Sequence, residues 1–220
     1  RWLGRETGRL CLGTAMILDS FFENLRGPSV PAEVLLGVSG GADSVALLSG
    51  FVAAGVDVGV AHLDHGTREG QSAKDAKWVE ALAASFGVPF FLKAVDVPGM
   101  AAASAGSFEE VAREVRYDFL AETAKAHGYG AIATGHHGDD QAETVLMRIV
   151  RGTSLTGLAG IPGVGEWNGV PVIRPLLGVT RADIVVYLRE KDLEYLEDAS
   201  NADPKYVRNR IRHDLLPMLR

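Results

Sequence analysis

The 220-residue chain carries 28 acidic against 22 basic side chains, a formal net charge of −6, which argues against a general nucleic-acid coat protein and leaves room for a local phosphate-contacting surface only. With 47% hydrophobic residues, 26 glycines and 9 prolines, it can bury a full core and reads as one α/β domain with a small appendage. A single cysteine, Cys11, excludes a disulfide framework, a Cys-based zinc site and a cysteine-ligated cluster built from this chain alone, and points to a reducing, cytoplasmic setting. The apolar run Leu10 to Leu18 is interrupted by Asp19 and lacks a small-residue cleavage site, so secretion is not expected. No stretch approaches the roughly 20 apolar residues of a membrane span.

Thr14 to about Leu25 carries the pattern of a leading amphipathic helix. Four short apolar runs end in turn residues and read as buried strands: Val34 to Val38, Val56 to Leu63, Phe90 to Val95 and Ala131 to Thr134. Helical patterns separate them. Ser72 with Asp75 predicts a capping box before a helix to about Phe86, and Ser107 with Glu110 another before a helix to about His127. Pro171 to Leu177 reads as a further strand, Thr180 with Asp183 caps a helix to about Lys191, and Pro204 opens a terminal one. This alternation predicts an α/β fold, a mostly parallel Rossmann-like sheet with helices on both faces and ligands at the carboxyl ends of its strands. The chain divides into a leading helix (1–30), a catalytic domain (31–190) and a helical extension (191–220). The extension is acidic through Asp198 and then basic, with Lys205, Arg208, Arg210, Arg212 and Arg220 against Asp214.

The first strand runs directly into Ser39-Gly40-Gly41-Ala42-Asp43-Ser44, after which a helix begins. Paired glycines let backbone N–H groups converge without Cβ obstruction, and the helix N-terminus adds partial positive charge, so the loop suits a pyrophosphate group. A plain βα turn is the simpler alternative. The loop is neither Gly-x-x-x-x-Gly-Lys nor Gly-x-Gly-x-x-Gly. With no lysine in it, the charge of ATP must be met elsewhere, and Asp43 reads as a Mg²⁺ ligand.

Asp139 and Asp140 follow the fourth strand at the same edge of the sheet. Asp140 reads equally as a helix cap, with Glu143 three residues on, whereas Asp139 has no evident structural duty. Arg113 and Arg116 share a helix face opposite Phe108, Val111, Val115 and Phe119, either solvated or touching phosphate. His136 can meet nucleotide or developing charge near neutral pH; His137 has weaker grounds, and a zinc site from His62, His65, His136 and His137 lacks spacing cues. Arg208 and Arg212 share a face beside Arg210, read as contacts to RNA phosphates or nucleotide in preference to a salt-bridged surface helix.

Ser-Gly-Gly-x-Asp-Ser after a first strand resembles the PP-loop ATP pyrophosphatases, which cleave ATP between its α and β phosphates. Further segments are similar to the tRNA(Ile)-lysidine synthetases: His62 to Arg68, Ala112 to Tyr117, Gly135 to Thr144, Arg151-Gly152 with Gly157-Leu158, and Glu197 to Asn201 followed by Arg208 to Arg212. Departures are Thr67, Ser154 and Ala199. The resemblance implies ATP, Mg²⁺, free L-lysine and a tRNA(Ile) with a CAU anticodon as partners, no membrane, and leaves a homodimer open. It also implies two steps, adenylation of an anticodon cytidine at O2 and displacement of AMP by the lysine ε-amine. Only about one such amine in two thousand is neutral near pH 7, so a carboxylate base is needed; Asp139 is the first candidate, with Asp140 and Glu143 as further lysine-binding carboxylates. Arg113, Arg116 and His136 are expected at the adenylate. The family usually continues into carboxy-terminal domains, so the chain reads as its catalytic domain alone or a short member. A tRNA thiolase, a metabolic PP-loop synthetase and a non-catalytic RNA-binding domain are the alternatives, the thiolase disfavoured by the lone Cys11.

Overall fold

The computed structural model describes residues 30–66, 71–104, 106–197 and 207–219. The expected leading helix, the segment from Asp198 to Tyr206 and the start of the terminal helix at Pro204 lie outside the described residues. Strands are β1 (Glu33–Gly37), β2 (Asp57–Asp64), β3 (Phe90–Ala94), β4 (Ala131–Thr134), β5 (Val164–Trp167) and β6 (Val170–Ile173). Helices are α1 (Ala42–Ala53), α2 (Gln71–Ser85), α3 (Val97–Ala102), α4 (Phe108–His127), α5 (Gly138–Arg151) and α6 (Arg181–Glu190). A terminal helix runs through Val207–Arg210, a π-type stretch over Ile211–Leu215 and Leu216–Leu219.

The sheet order is β3-β2-β1-β4-β6-β5, with every pairing parallel except β5 against β6. Alternate residues of β1 point to opposite faces, and both faces are buried. Val34 and Leu36 pack with Val45, Leu48 and Phe51 of α1, Val79 of α2 and Ile184 and Leu188 of α6. Leu35 packs on the other face with Leu120, Ala121 and Ala124 of α4. Helices therefore cover both faces, as the continuous apolar runs predict.

Local chemistry explains the element ends. Ser107 and Thr180 accept from the N–H of Glu110 and Asp183, and those acids accept in return, closing capping boxes on α4 and α6. The expected box at Ser72 is a correction: α2 already runs from Gln71, so Ser72 lies inside its first turn. The strand expected over Pro171 to Leu177 also changes. Its first half pairs as β6, but Pro175 removes a ladder donor and Pro175–Gly178 forms a 3₁₀ turn. Strand β5 has no counterpart in the sequence reading, although Asn168 and Gly169, both at positive φ, are the hairpin signal that joins it to β6. Among the described residues no helix is long and apolar enough to cross a membrane.

At the carboxyl edge β1 and β4 are neighbours, Gly37 opposite Thr134, so their exit loops emerge side by side. A Cβ on Gly135 would stand 3.0 Å from the Asp43 carbonyl carbon and 3.2 Å from the Ser44 nitrogen. Any side chain there would force the Asp43–Ser44 backbone to give by a few tenths of an ångström. Gly135→Ala is therefore expected to lower stability by roughly 1–3 kcal/mol, read as a lower urea midpoint at unchanged m-value.

Candidate active site

Beyond β1 the chain turns through Ser39 and Gly40 into α1, bringing Asp43 and Ser44 into its first turn. Gly40 has φ +92°, a left-handed value suited to glycine, and its carbonyl accepts from the Leu196 N–H at 2.9 Å. The Ser44 hydroxyl donates to the Gly41 carbonyl at 2.8 Å, and the Ser39 hydroxyl lies 3.4 Å from it. No side chain caps α1 at Gly41, which leaves a partially positive helix end beside Ser39, Asp43 and Ser44 in the wall of a cavity of about 1170 Å³.

The β4 exit supplies the adjoining wall. His137 is the N-cap of α5, and its N–H donates to the Asp140 carboxylate at 3.0 Å. Asp140 thus sits in the first turn and closes the helix start from within, where the sequence reading has it as the cap with Glu143 answering. Asp139 does have a structural duty, since it accepts from the Arg181 N–H at 2.8 Å, at the first residue of α6. The Arg181 guanidinium in turn pairs with Asp43. The buried ring of His137 lies among all three acids, its Nε2 3.7 Å from Asp43 and 3.5 Å from Asp140 and its Nδ1 3.9 Å from Asp139.

Glu143, one turn further along α5, is 0% exposed. Arg208 Nε and Arg212 Nε donate to its two oxygens, each at 2.6 Å. Arg208 Nη2 also donates to Asp140 at 2.7 Å. Burial acts to lower the Arg212 pKa, but the hydrogen bonds and charge of Glu143 outweigh it and raise the group above its ordinary value. Arg208 and Arg212 do share one face, as their spacing predicts, and both line the cavity, yet their guanidiniums are turned to carboxylates. Glu143 lies behind the cavity lining, its carboxylate already taken up by two arginines, so the geometry corrects its reading as a lysine ligand. Arg210 is exposed.

The opposite wall is built from β2 and α4. His62 Nδ1 donates to the Val38 carbonyl at 2.8 Å. Arg116 Nη2 lies 3.2 Å from His65 Nε2; an arginine can only donate, so Nε2 accepts and the proton sits on Nδ1, which is buried without a hydrogen-bond partner. Burial, reinforced by the Arg116 charge, pushes the His65 pKa down to about 4. His136, bonded to Thr134 Oγ1 at 2.9 Å, is likewise pushed down to about 4 by burial, partly opposed by Asp140. His136 is therefore a neutral ring at pH 7 and offers hydrogen bonds, not the titrating charge its sequence position suggests. Arg113 and Arg116 part company: Arg116 lines the cavity, while the Arg113 guanidinium lies 4.7 Å from the centre of the Tyr117 ring.

Two arginines absent from the sequence reading bear on the site, Arg181 in the cavity lining and Arg174 outside it against Tyr117. Arg181 gives no periodic signal, although a cation at the first position of a helix opposes the macrodipole and so hints at another duty. Arg174 is buried and donates to the Pro162 carbonyl at 2.9 Å and the Tyr117 hydroxyl at 3.4 Å. Its position depends on the β5–β6 hairpin.

Phosphate loop, paired aspartates and arginines converge on this one edge, and comparison with known proteins places the arrangement. Residues 15–219 match the PP-loop domain. The chain belongs to the PP-loop family of ATP-binding domains. The tRNA(Ile)-lysidine synthase of Solibacter usitatus is 44% identical over 189 residues, 86% of this chain and 41% of that protein. That of Thermus thermophilus is 43% identical over 204 residues, 93% of this chain and 39% of the relative. The chain thus spans about two-fifths of the length of these curated relatives. Among solved structures, the U34-tRNA thiolase NcsA of Methanococcus maripaludis superposes with a TM-score of 0.76 at 16% identity, over 94% of this chain and 74% of that one. The NH3-dependent NAD synthetase of Campylobacter jejuni gives 0.58 at 14% identity, over 95% and 83%. At such identities these two likenesses speak for the fold alone.

Two expectations follow for this PP-loop domain. Glu143→Gln removes the charge that two arginines share, and roughly 3 kcal/mol of stability should go with it, visible as a lower denaturation midpoint with the terminal helix exchanging amide hydrogens faster. His65 and His136 bind protons more readily in the unfolded chain, at the ordinary 6.5, than in the fold, at about 4. Stability therefore falls as pH drops from about 6.5 towards 4, and a His65→Gln, His136→Gln double variant should flatten that part of the urea-midpoint profile.

Proposed function

We propose that this domain carries out the chemistry of a tRNA(Ile)-lysidine synthase, a ligase forming a carbon–nitrogen bond with ATP, free lysine and a tRNA(Ile) bearing a CAU anticodon, in the cytoplasm. One observation carries the reading. A single cavity at the carboxyl edge is lined by Ser39, Asp43 and Ser44 of the loop, by Asp139 and Asp140, and by Arg116 and His136. The names of the relatives support the same activity.

In the first step the O2 of an anticodon cytidine attacks the α-phosphate of ATP, and the bond to the departing pyrophosphate breaks. The loop from Ser39 to Ser44 receives the pyrophosphate through backbone N–H groups, the two hydroxyls and the α1 terminus. Arg116 meets charge on the α-phosphate, with neutral His136 beside it as a hydrogen-bonding ring. Arg113 holds Tyr117 at the edge of the site. A Mg²⁺ ion would spread the negative charge of the leaving group. Its site fits the residues present: Mg²⁺ is held by one or two carboxylates plus substrate phosphates, and Asp43 is a carboxylate in the first turn after the loop.

In the second step the lysine ε-amine attacks C2 of the adenylated base, a C–N bond forms, AMP leaves, and the amine gives up its proton. Asp139 and Asp140 line the cavity and are the carboxylates for the ammonium and that proton, Asp139 first. Arg208 and Arg212 fix Asp140 and Glu143, and the exposed Arg210 is the member of the basic cluster directed at tRNA phosphate. The anticodon loop is single-stranded, so its cytidine reaches the cavity at little unstacking cost.

The experiment is single-turnover mixing of the domain, labelled ATP and unmodified tRNA(Ile), followed by lysine, with adenylated tRNA and lysidine quantified separately. Asp139→Asn should leave adenylation within about three-fold of wild type and slow lysidine formation by roughly 10²-fold or more. Equal loss of both steps would move Asp139 to the nucleotide; no tRNA-dependent pyrophosphate release by the wild type would sink the assignment.

A further inference from the structure

We propose that Arg181 is the exchangeable cation of the phosphate site: it neutralises Asp43 in the nucleotide-free protein and shifts to the pyrophosphate group when Asp43 turns to a divalent cation, an inference that rests on the ATP reading above. The need for such a group is written in the loop, which contains no lysine. A helix terminus contributes only about half a positive charge, far less than a pyrophosphate group carries. Among the described residues the other arginines of the cavity are placed elsewhere. Arg208 and Arg212 are held by Glu143 and Asp140, and Arg116 stands across the cavity against His65.

Arg181 is built to move its side chain alone. Its N–H is bonded to Asp139 at 2.8 Å, and α6 is seated through Ile184, Tyr187 and Leu188, all 0% exposed. The backbone is therefore fixed. Its guanidinium meets Asp43 at the mouth of the loop and its side chain is 40% exposed, so it can change partner without crossing a packed core. A planar fork of donors pairs as well with phosphate oxygens as with a carboxylate. Asp43, for its part, cannot give the same oxygen wholly to an arginine and to a metal. One event satisfies both: the metal takes the carboxylate, and the arginine takes the phosphate.

This exchange predicts effects of opposite sign. In metal-free buffer, pyrophosphate titrated calorimetrically into Arg181→Gln should bind about ten-fold or more weakly than into wild type. Without pyrophosphate, Mn²⁺ followed by its electron paramagnetic resonance signal should bind the same variant several-fold more tightly, because Asp43 has lost its competing cation. Arg181→Lys, which keeps the charge and loses the fork, should fall between the two proteins in both titrations. Adding Asp43→Asn to Arg181→Gln should abolish the Mn²⁺ gain. Unchanged pyrophosphate affinity in Arg181→Gln, or weakening of both ligands together, would overturn the exchange while leaving the ATP site standing. Failure of the wild-type protein to bind pyrophosphate or ATP at all would overturn the ATP reading and the exchange with it.

Discussion

A carboxylate cut off from water must find its hydrogen bonds in protein, and for Glu143 they come from two arginines that stand some 65 residues further along the chain. That exchange of water for guanidinium donors ties the terminal helix to α5, since no single neutral group could replace the lost solvation. Its consequences spread by contact. Arg208 reaches past Glu143 to Asp140, Asp140 holds the N–H of His137, and the His137 ring lies among Asp43, Asp139 and Asp140. Arg181 closes the series by bonding Asp43 through its side chain and Asp139 through its backbone. The acidic wall of the cavity is one connected set of charges.

The histidines of the lining have another character. His62, His65 and His136 are all held below the ordinary imidazole value, burial being the first cause in each. Neutral rings accept and donate hydrogen bonds without adding charge, so beside His62 and His65 the charge comes from Arg116 and from Asp64. Carboxylates and cations are interleaved around the cavity, Asp64 and Asp75 with Arg116, and Asp43 with Arg181, with the neutral rings among them.

The parallel sheet is common ground for unlike chemistries, since a tRNA thiolase and an NAD synthetase share it with this chain at 16% and 14% identity. Fold alone therefore does not choose a substrate. The choice lies in side chains at the carboxyl edge, and close contact at Gly135 brings the two decisive loops within reach of each other.

The sequence by itself determined the strands β1 to β4, the caps of α4 and α6 and the phosphate loop, because each rests on local chemistry: short buried runs, Ser or Thr answered by an acid, paired glycines between strand and helix. It also separated the family's motifs in order along the chain. The hairpin turn was available in Asn168-Gly169, but β5 is four residues, Val164–Trp167, with a glycine inside it, too short and broken a run to read as a strand. Only the tertiary structure decided which partner each acid takes. Spacing put Asp139, Asp140 and Glu143 on one helix start, yet their fates were set by Arg181, Arg208 and Arg212, distant in sequence. Ion pairs of that kind leave no periodic trace, since a charge chooses its partner through space and through the water it loses, not through the residues beside it.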